Sequence, residues 1–124
     1  MARVETDLKC TPISVEAARR FVEAALSVWE LDDLSAVAVL LTSELVTNAI
    51  LHARTAVRLA AERRGAELVV EVWDDAPDAA AVPRSALDDE TGRGLLLVNR
   101  LVARWGVRRT GSRKVVWFAL GLTT

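Results

Sequence analysis

Three polar residues, Glu44, Asn48 and His52, stand four positions apart within an otherwise apolar stretch at residues 34–53. A helix advances by about 100° per residue, so these side chains would fall within roughly 80° of one another, in a line inside an apolar face. Burying an unpaired carboxylate such as that of Glu44 is costly. The line therefore predicts either a ligand or metal site or an internal hydrogen-bond network, and the spacing alone does not separate the two.

Two further features could join that line of residues. Asp74 follows an apolar run at 67–73, where its carboxylate could accept a hydrogen bond from a ligand or simply meet solvent. Gly92-Arg93-Gly94 precedes an apolar run that starts at Leu95. Glycines before a helix start let backbone N–H groups approach an anion, although such a short tripeptide more often marks an ordinary turn and N-cap.

The residue types also argue against several classes of site. Asn48 offers a neutral amide oxygen, which is a hard ligand suited to Mg²⁺ and a poor one for zinc, and the spacing does not match HExxH. The phosphate-binding motifs GxxxxGK[ST] and GxGxxG are absent. His52 is the only histidine and there is no GxSxG, so a serine hydrolase is not expected.

The elements that must position these residues can be read from hydrophobic periodicity. Apolar alternation predicts strands at 4–10, 56–62, 67–73, 105–109 and 114–121. Helical spacing predicts helices at 15–29, 34–53 and 95–104, with Ser14 as the N-cap of the first and Gly106 near the end of the last. The order β-α-α-β-β-loop-α-β-β predicts an α+β fold, a two-layer sandwich with a mixed, mostly antiparallel sheet and helices on one face.

The composition of the chain limits the classes of function that it can have. The chain has 124 residues and 52% hydrophobic residues, which suits one domain, 1–124, with a sizeable core. A formal charge of −1 argues against direct nucleic-acid binding, and Glu44 interrupts the best membrane-span candidate. Cys10 is the only cysteine, so we expect a buried, inert thiol and a cytoplasmic location.

Four segments together resemble the GHKL, or Bergerat-fold, ATP-binding superfamily. LLTSELVTNAILHA resembles the N box, VEVWDDAP the first glycine-box strand, ETGRGLLLVNRLVARWGV the second glycine box, and TGSRKVVWFAL the closing strand pair. The likeness covers roughly residues 15–122, in the family order and spacing. Within the superfamily, the chain resembles the compact anti-sigma-factor serine/threonine kinases and related bacterial ATP-binding regulators.

The resemblance implies a role for each polar residue of the first two segments. Glu44 matches the general base that activates the attacking hydroxyl, and Asn48 matches the Mg²⁺ ligand that bridges to the phosphates. Asp74 matches the carboxylate that accepts a hydrogen bond from the adenine amino group. His52 belongs to the same motif and is placed with the cofactor-binding residues, either in phosphate contact or in bracing a loop.

The resemblance also implies that Gly92, Arg93, Gly94 and Leu95 wrap the triphosphate, and that residues 75–91 form a shortened ATP lid. Arg93 could contact a phosphate or remain a solvated loop cation. Two positions depart from the family pattern. Ala76 stands where the first glycine box usually has a small turn residue, and Val115 stands where a threonine near the adenine is often found.

These expectations combine into one predicted function. The resemblance implies an Mg²⁺- and ATP-binding regulator that binds a protein partner, such as a sigma factor or an anti-sigma-factor antagonist, and phosphorylates it. The alternative is a non-catalytic ATP-binding or protein-interaction module of the same fold. An ATPase domain of a larger machine fits less well, because no transducer segment follows Thr124. The sequence leaves open whether the protein forms a homodimer.

Overall fold

The structure, a computed structural model, describes residues 2–75 and 102–122. Five strands form one sheet: β1 (Ala2–Leu8), β2 (Val57–Arg64), β3 (Glu67–Asp74), β4 (Val102–Thr110) and β5 (Arg113–Gly121). Their order is β1-β2-β3-β5-β4, and every pairing among these described strands is antiparallel. The α+β class is therefore confirmed, and the described part of the sheet is antiparallel throughout rather than mixed.

Within the described residues, two helices lie against this sheet: α1 (Ser14–Val28) and α2 (Ser35–Asn48). A 3₁₀ turn (Asp32–Leu34) leads into α2, and a π-helical turn (Ala49–Ala53) continues it. The predicted helix at 34–53 is thus helical throughout, but it changes its winding after Asn48. In α1, the residues buried against the rest of the core are Ala18, Val22, Ala25 and Leu26, which follow helical spacing.

The core lies between the helices and one face of the sheet. Alternate residues of β3 and β5, such as Val70, Val72, Phe118 and Leu120, point to this inner face and join the same apolar cluster as Leu41 of α2. Each fully buried side chain of this kind stabilises the fold by about 1.5–3 kcal/mol. The inner face is therefore fixed in register, because a one-residue slip would turn its apolar side chains outward.

One helical stretch, Asp32–Ala53, is long and apolar enough to cross a membrane by length and composition alone. Half of its most apolar window is buried within the fold. Val37, Leu41 and Leu45 belong to the core cluster, so the stretch serves here as a core helix. Its length and composition are weak evidence for a membrane span.

The ends of the first elements differ from the sequence predictions. β1 ends at Leu8 rather than at residue 10. Ser14 is the first residue of α1 instead of its N-cap, and its hydroxyl donates to the carbonyl of Lys9 at 2.7 Å. At the other end, the Leu31 N–H donates to the Leu26 carbonyl across Glu30, whose φ of 58° gives a left-handed helix stop.

The predicted helix at 95–104 is wrong over its last three residues, because β4 already begins at Val102; residues 95–101 lie outside the described part. Gly106 is also not a helix end. It lies within β4 opposite Trp117, and a Cβ at this position would stand 2.9 Å from the indole ring. The glycine therefore lets the Trp117 ring lie over the β4 backbone.

The outer face of the sheet carries a network of arginines and carboxylates around Glu71. This side chain is only 4% exposed and accepts hydrogen bonds from Arg3 at 2.9 Å, Arg108 at 3.1 Å and the Trp73 indole at 3.1 Å. Burial acts to raise the pKa of Glu71, but hydrogen bonds from Arg3, Arg108 and Trp73 together hold the pKa below its usual value. Arg108 and Arg113 also lie over the Trp73 ring.

Candidate functional site

The first part of the candidate site is the margin of α2. Glu44 and Asn48 are each half-buried, one turn apart, beside the fully buried Leu41 and Leu45. The expectation that the polar line runs inside the apolar face is therefore wrong: the line follows the edge of the buried face. Both side chains take part in contacts within the folded chain. At this margin, a polar group can reach a ligand without the full cost of burial.

The π-helical turn that follows Asn48 changes where His52 points. The Arg54 N–H donates to the Ala49 carbonyl five residues back, at 3.3 Å, and Arg54 then stops the turn with a φ of 58°. His52 is exposed rather than buried. His52 therefore lies outside the apolar face in which the sequence analysis placed it. Turns of this kind occur frequently at functional sites.

The second part of the site is the end of β3. Asp74 is 1% exposed and shares the inner face with Val72, so its carboxylate lies at the end of the core. Both α2 and the π-helical turn contact β3. Just beyond, the Asp75 N–H donates to the Thr55 hydroxyl at 3.1 Å. This bond ties the exit of the helical stretch to the exit of β3, which brings the helix margin and Asp74 to the same end of the fold.

A buried lysine accompanies Asp74. Lys114 opens β5 directly opposite Asp74 in the sheet register, is 2% exposed, and places its ammonium nitrogen 3.6 Å from Asp74 Oδ2. Val115, which the sequence suggested as the threonine position, instead lies opposite Trp73 on the outer face. Sequence reasoning missed Lys114, although period-two alternation from Phe118 places residue 114 on the inner face.

The remaining predicted positions fall mostly beyond the described residues. Gly92, Arg93, Gly94 and Leu95 lie outside them, as do residues 76–91 of the proposed lid. Asp75, the first lid residue, is described, and its carboxylate accepts a hydrogen bond from Arg113 at 3.2 Å. The described structure thus brings together the helix margin, Asp74 and the start of β5, while the roles of the four loop residues stay predictions.

The arrangement just described is a helix margin facing the end of an antiparallel sheet, with a buried carboxylate at that end. The sequence model of the histidine kinase-like ATPase domain matches residues 8–120 of the chain. The chain belongs to this family. Among curated proteins, none matches the sequence significantly. Membership of the histidine kinase-like ATPase family supports ATP binding and accounts for the fold, since both helices, β2, β3, β4 and nearly all of β5 fall within the matched residues, which begin at the last residue of β1.

The chemistry of the donors fits the ligands of a histidine kinase-like ATPase. The described residues contain no cluster of three or more His, Cys, Asp or Glu side chains that would cage a metal on their own. Mg²⁺ commonly takes only one or two protein oxygens and completes its shell with water and phosphate oxygens. Asn48 and Glu44 supply oxygens of this kind. At the other end of the site, a buried carboxylate can read an N–H donor on a base.

Proposed function

We propose that this histidine kinase-like ATPase domain acts as a regulator of the anti-sigma-factor kinase kind. In this proposal, it binds ATP with Mg²⁺ and transfers the γ-phosphate to a serine or threonine of a small regulatory protein that resembles an anti-sigma-factor antagonist. The observation that carries the proposal is the pairing of Glu44 with Asn48 at the half-buried margin of α2. Glu44 is the only charged residue between Asp33 and Arg54, so its presence beside the core needs a reason.

Each residue then has a distinct task. Asn48 would hold Mg²⁺ through its amide oxygen, and the metal would supply charge that neutralises the phosphates. Asp74 accepts a hydrogen bond from the exocyclic amine of adenine, and binding of the phosphates is assigned to Gly92 and Gly94 on the family resemblance alone. His52, on the exposed surface of the π-helical turn, suits bracing of the loop that covers the phosphates better than direct phosphate contact.

Glu44 acts on the partner's hydroxyl in the transfer step. Its carboxylate orients the hydroxyl and accepts the proton as the oxygen forms a bond to the γ-phosphorus. The bond from that phosphorus to the bridging oxygen breaks, and ADP leaves with the electron pair. Because Glu44 is half-buried beside Leu41 and Leu45, its carboxylate can reach a hydroxyl at the helix margin while its stem packs against the core.

A non-catalytic module of the same fold is the second candidate. One observation favours it: Asp74 already has a charged neighbour, Lys114, at 3.6 Å. A base amine must compete with this ammonium for the carboxylate, which would weaken nucleotide binding. In that case the protein would act by occupying its partner rather than by phosphorylating it.

A phosphotransfer assay with labelled ATP separates the two candidates. Purified anti-sigma-factor antagonists are offered to the wild type and to Glu44→Gln, which keeps the shape of the side chain. Transfer should be abolished in Glu44→Gln, while its ATP affinity stays within a few-fold of the wild type. Glu23→Gln is the matched control, because Glu23 is an exposed glutamate on α1. Transfer that survives in Glu44→Gln, or no transfer to any antagonist, would favour the binding module.

The proposal also extends to assembly. β1 is an edge strand, and beside it lies an apolar groove lined by Val4, Phe21, Ala24, Ala25, Val28 and Trp29. We propose that a second copy of the chain covers this groove in a homodimer. Antiparallel pairing of two β1 strands centred on Val4 sets Arg3 opposite Glu5 of the second copy, so the charges are complementary. It also places the two Val4 side chains together beside the grooves.

The cellular setting is part of the same proposal. We propose that the protein binds its partner, a sigma factor or an anti-sigma-factor antagonist, in the cytoplasm, and the single cysteine fits a reducing compartment. Cys10 is half-buried and donates weakly to the Ile50 carbonyl at 3.7 Å, as a small packing residue does. In this proposal, the protein does not bind nucleic acid or a membrane directly.

A further inference from the structure

The ammonium group of Lys114 forms a long ion pair at the edge of the candidate site. Its side chain is 3% exposed, and within the described residues its one contact is Asp74 Oδ2 at 3.6 Å. That distance is beyond an ordinary hydrogen bond, so the three N–H donors of the ammonium make none to the described part of the chain. Buried charges in proteins are normally both paired and hydrogen-bonded.

The position of Lys114 indicates what could complete its hydrogen bonding. The residue points to the inner face, where Val116 and Phe118 continue the core in one direction. In the other direction lies the exit of β3, tied to the exit of the helical stretch by the Asp75–Thr55 hydrogen bond. Lys114 therefore stands at the boundary between the core and the candidate nucleotide site, beside the carboxylate proposed to read the base.

We propose that Lys114 is a second base-reading residue and donates a hydrogen bond to the ring nitrogen N1 of adenine. This inference rests on the proposed nucleotide binding, in which Asp74 accepts a hydrogen bond from the exocyclic amine next to N1. The edge of adenine presents an N–H donor next to a ring acceptor. An acceptor and a donor that lie 3.6 Å apart on neighbouring strands match those two atoms.

A purely structural ion pair is the competing explanation, and it makes a different prediction. If Lys114 only neutralises Asp74, the atom at ring position 1 has no bearing on affinity. If Lys114 donates to N1, replacing that nitrogen by carbon removes the acceptor and leaves a buried ammonium donor unsatisfied. The cost of losing a hydrogen bond to a charged group corresponds to about a tenfold to hundredfold loss of affinity.

The test compares ATP with 1-deaza-ATP, in which a C–H group replaces N1, by titration calorimetry with Mg²⁺. The wild type should bind 1-deaza-ATP about tenfold or more weakly than ATP. Lys114→Met should bind both nucleotides with the same affinity within about twofold, because neither can receive a hydrogen bond from methionine. Lys9→Met is the matched control, since Lys9 is the other lysine and is exposed. It should keep the wild-type preference.

The outcomes separate this inference from the proposed function. Equal binding of ATP and 1-deaza-ATP by the wild type overturns the role of Lys114 and leaves the nucleotide site standing. A preference for ATP that survives in folded Lys114→Met also overturns it. No binding of ATP itself would overturn both proposals. The wild-type comparison needs no variant, so a Lys114→Met protein that fails to fold does not remove the test.

Discussion

Asp74→Asn should destabilise the fold strongly through Lys114, even before any nucleotide is considered. The substitution keeps the shape of the side chain but removes the negative charge, so the ammonium 3.6 Å away loses the one counter-charge that it has among the described residues. Both side chains are almost fully buried, so water cannot solvate the remaining charge. Removing one partner of a buried pair typically costs about 3–5 kcal/mol, and the long separation favours the lower end, about 3 kcal/mol.

The double variant Asp74→Asn, Lys114→Met makes this prediction specific. Methionine has a similar length and no charge, so the double variant should recover most of the lost stability, to within about 1–2 kcal/mol of the wild type. Urea unfolding without nucleotide measures the free energy of unfolding of the wild type, both single variants and the double variant. A large coupling energy from this cycle would confirm that the two side chains act as a pair.

Asp75→Asn is the matched control for this cycle. Asp75 is the neighbouring aspartate, but its side chain is 53% exposed and its arginine partner is 34% exposed. A surface pair of this kind contributes at most about 1 kcal/mol. If Asp74→Asn costs no more than Asp75→Asn, or if Lys114→Met fails to restore stability, the buried pair does not control this end of the sheet. ATP titration of the double variant then isolates the role of the Asp74 carboxylate from its effect on folding.

Three further predictions concern the metal, the outer face and assembly. Asn48→Ala should remove the Mg²⁺ dependence of ATP binding in calorimetry; unchanged dependence in the folded variant would exclude Asn48 as the ligand. Glu71→Gln should lower stability at neutral pH by about 2 kcal/mol, since two of the hydrogen bonds that Glu71 accepts come from arginines. The folded pKa of Glu71 is depressed, so its contribution is present above the unfolded pKa of about 4.3 and is lost as pH falls through the folded value. The wild type and Glu71→Gln should therefore converge in stability as the pH falls below the unfolded pKa of about 4.3, whereas a difference that stays constant on acidification would contradict the assignment. Val4→Lys should convert a dimer to a monomer in sedimentation, and a monomeric wild type would exclude the β1 interface.

The sequence by itself determined the order and type of most described elements. Alternating apolar residues in β2, β3 and β5 can bury only one face, so their period of two indicated strands with little competition from helix. The uniform apolar run around Leu41 could only be a buried helix. Gly65 and Gly111 each stand between two predicted strands, where the structure has hairpin turns. Both glycines adopt a positive φ, which a side chain would resist.

The end of the last predicted helix could not be found in this way. Val102 follows apolar residues at helical spacing, yet it belongs to β4, which pairs with β5 along the sheet. The local spacing of apolar residues favours a helix only weakly, and hydrogen bonding to a neighbouring strand overrides that preference. The role of Gly106 could not be read from local sequence either. A side chain at this position would meet the Trp117 ring on the adjacent strand.

The candidate site shows the same division between local and tertiary information. Residue types and spacing singled out Glu44, Asn48 and Asp74, because a polar side chain in an apolar run is visible in one dimension. Whether such a side chain is buried depends on what packs against it: Asp74 is buried, Asn48 is half-buried and His52 is exposed. Lys114 became part of the site only through the register of β5 against β3. Register joins Asp74 and Lys114, which are 40 positions apart in the chain, and no local pattern specifies that they will face each other.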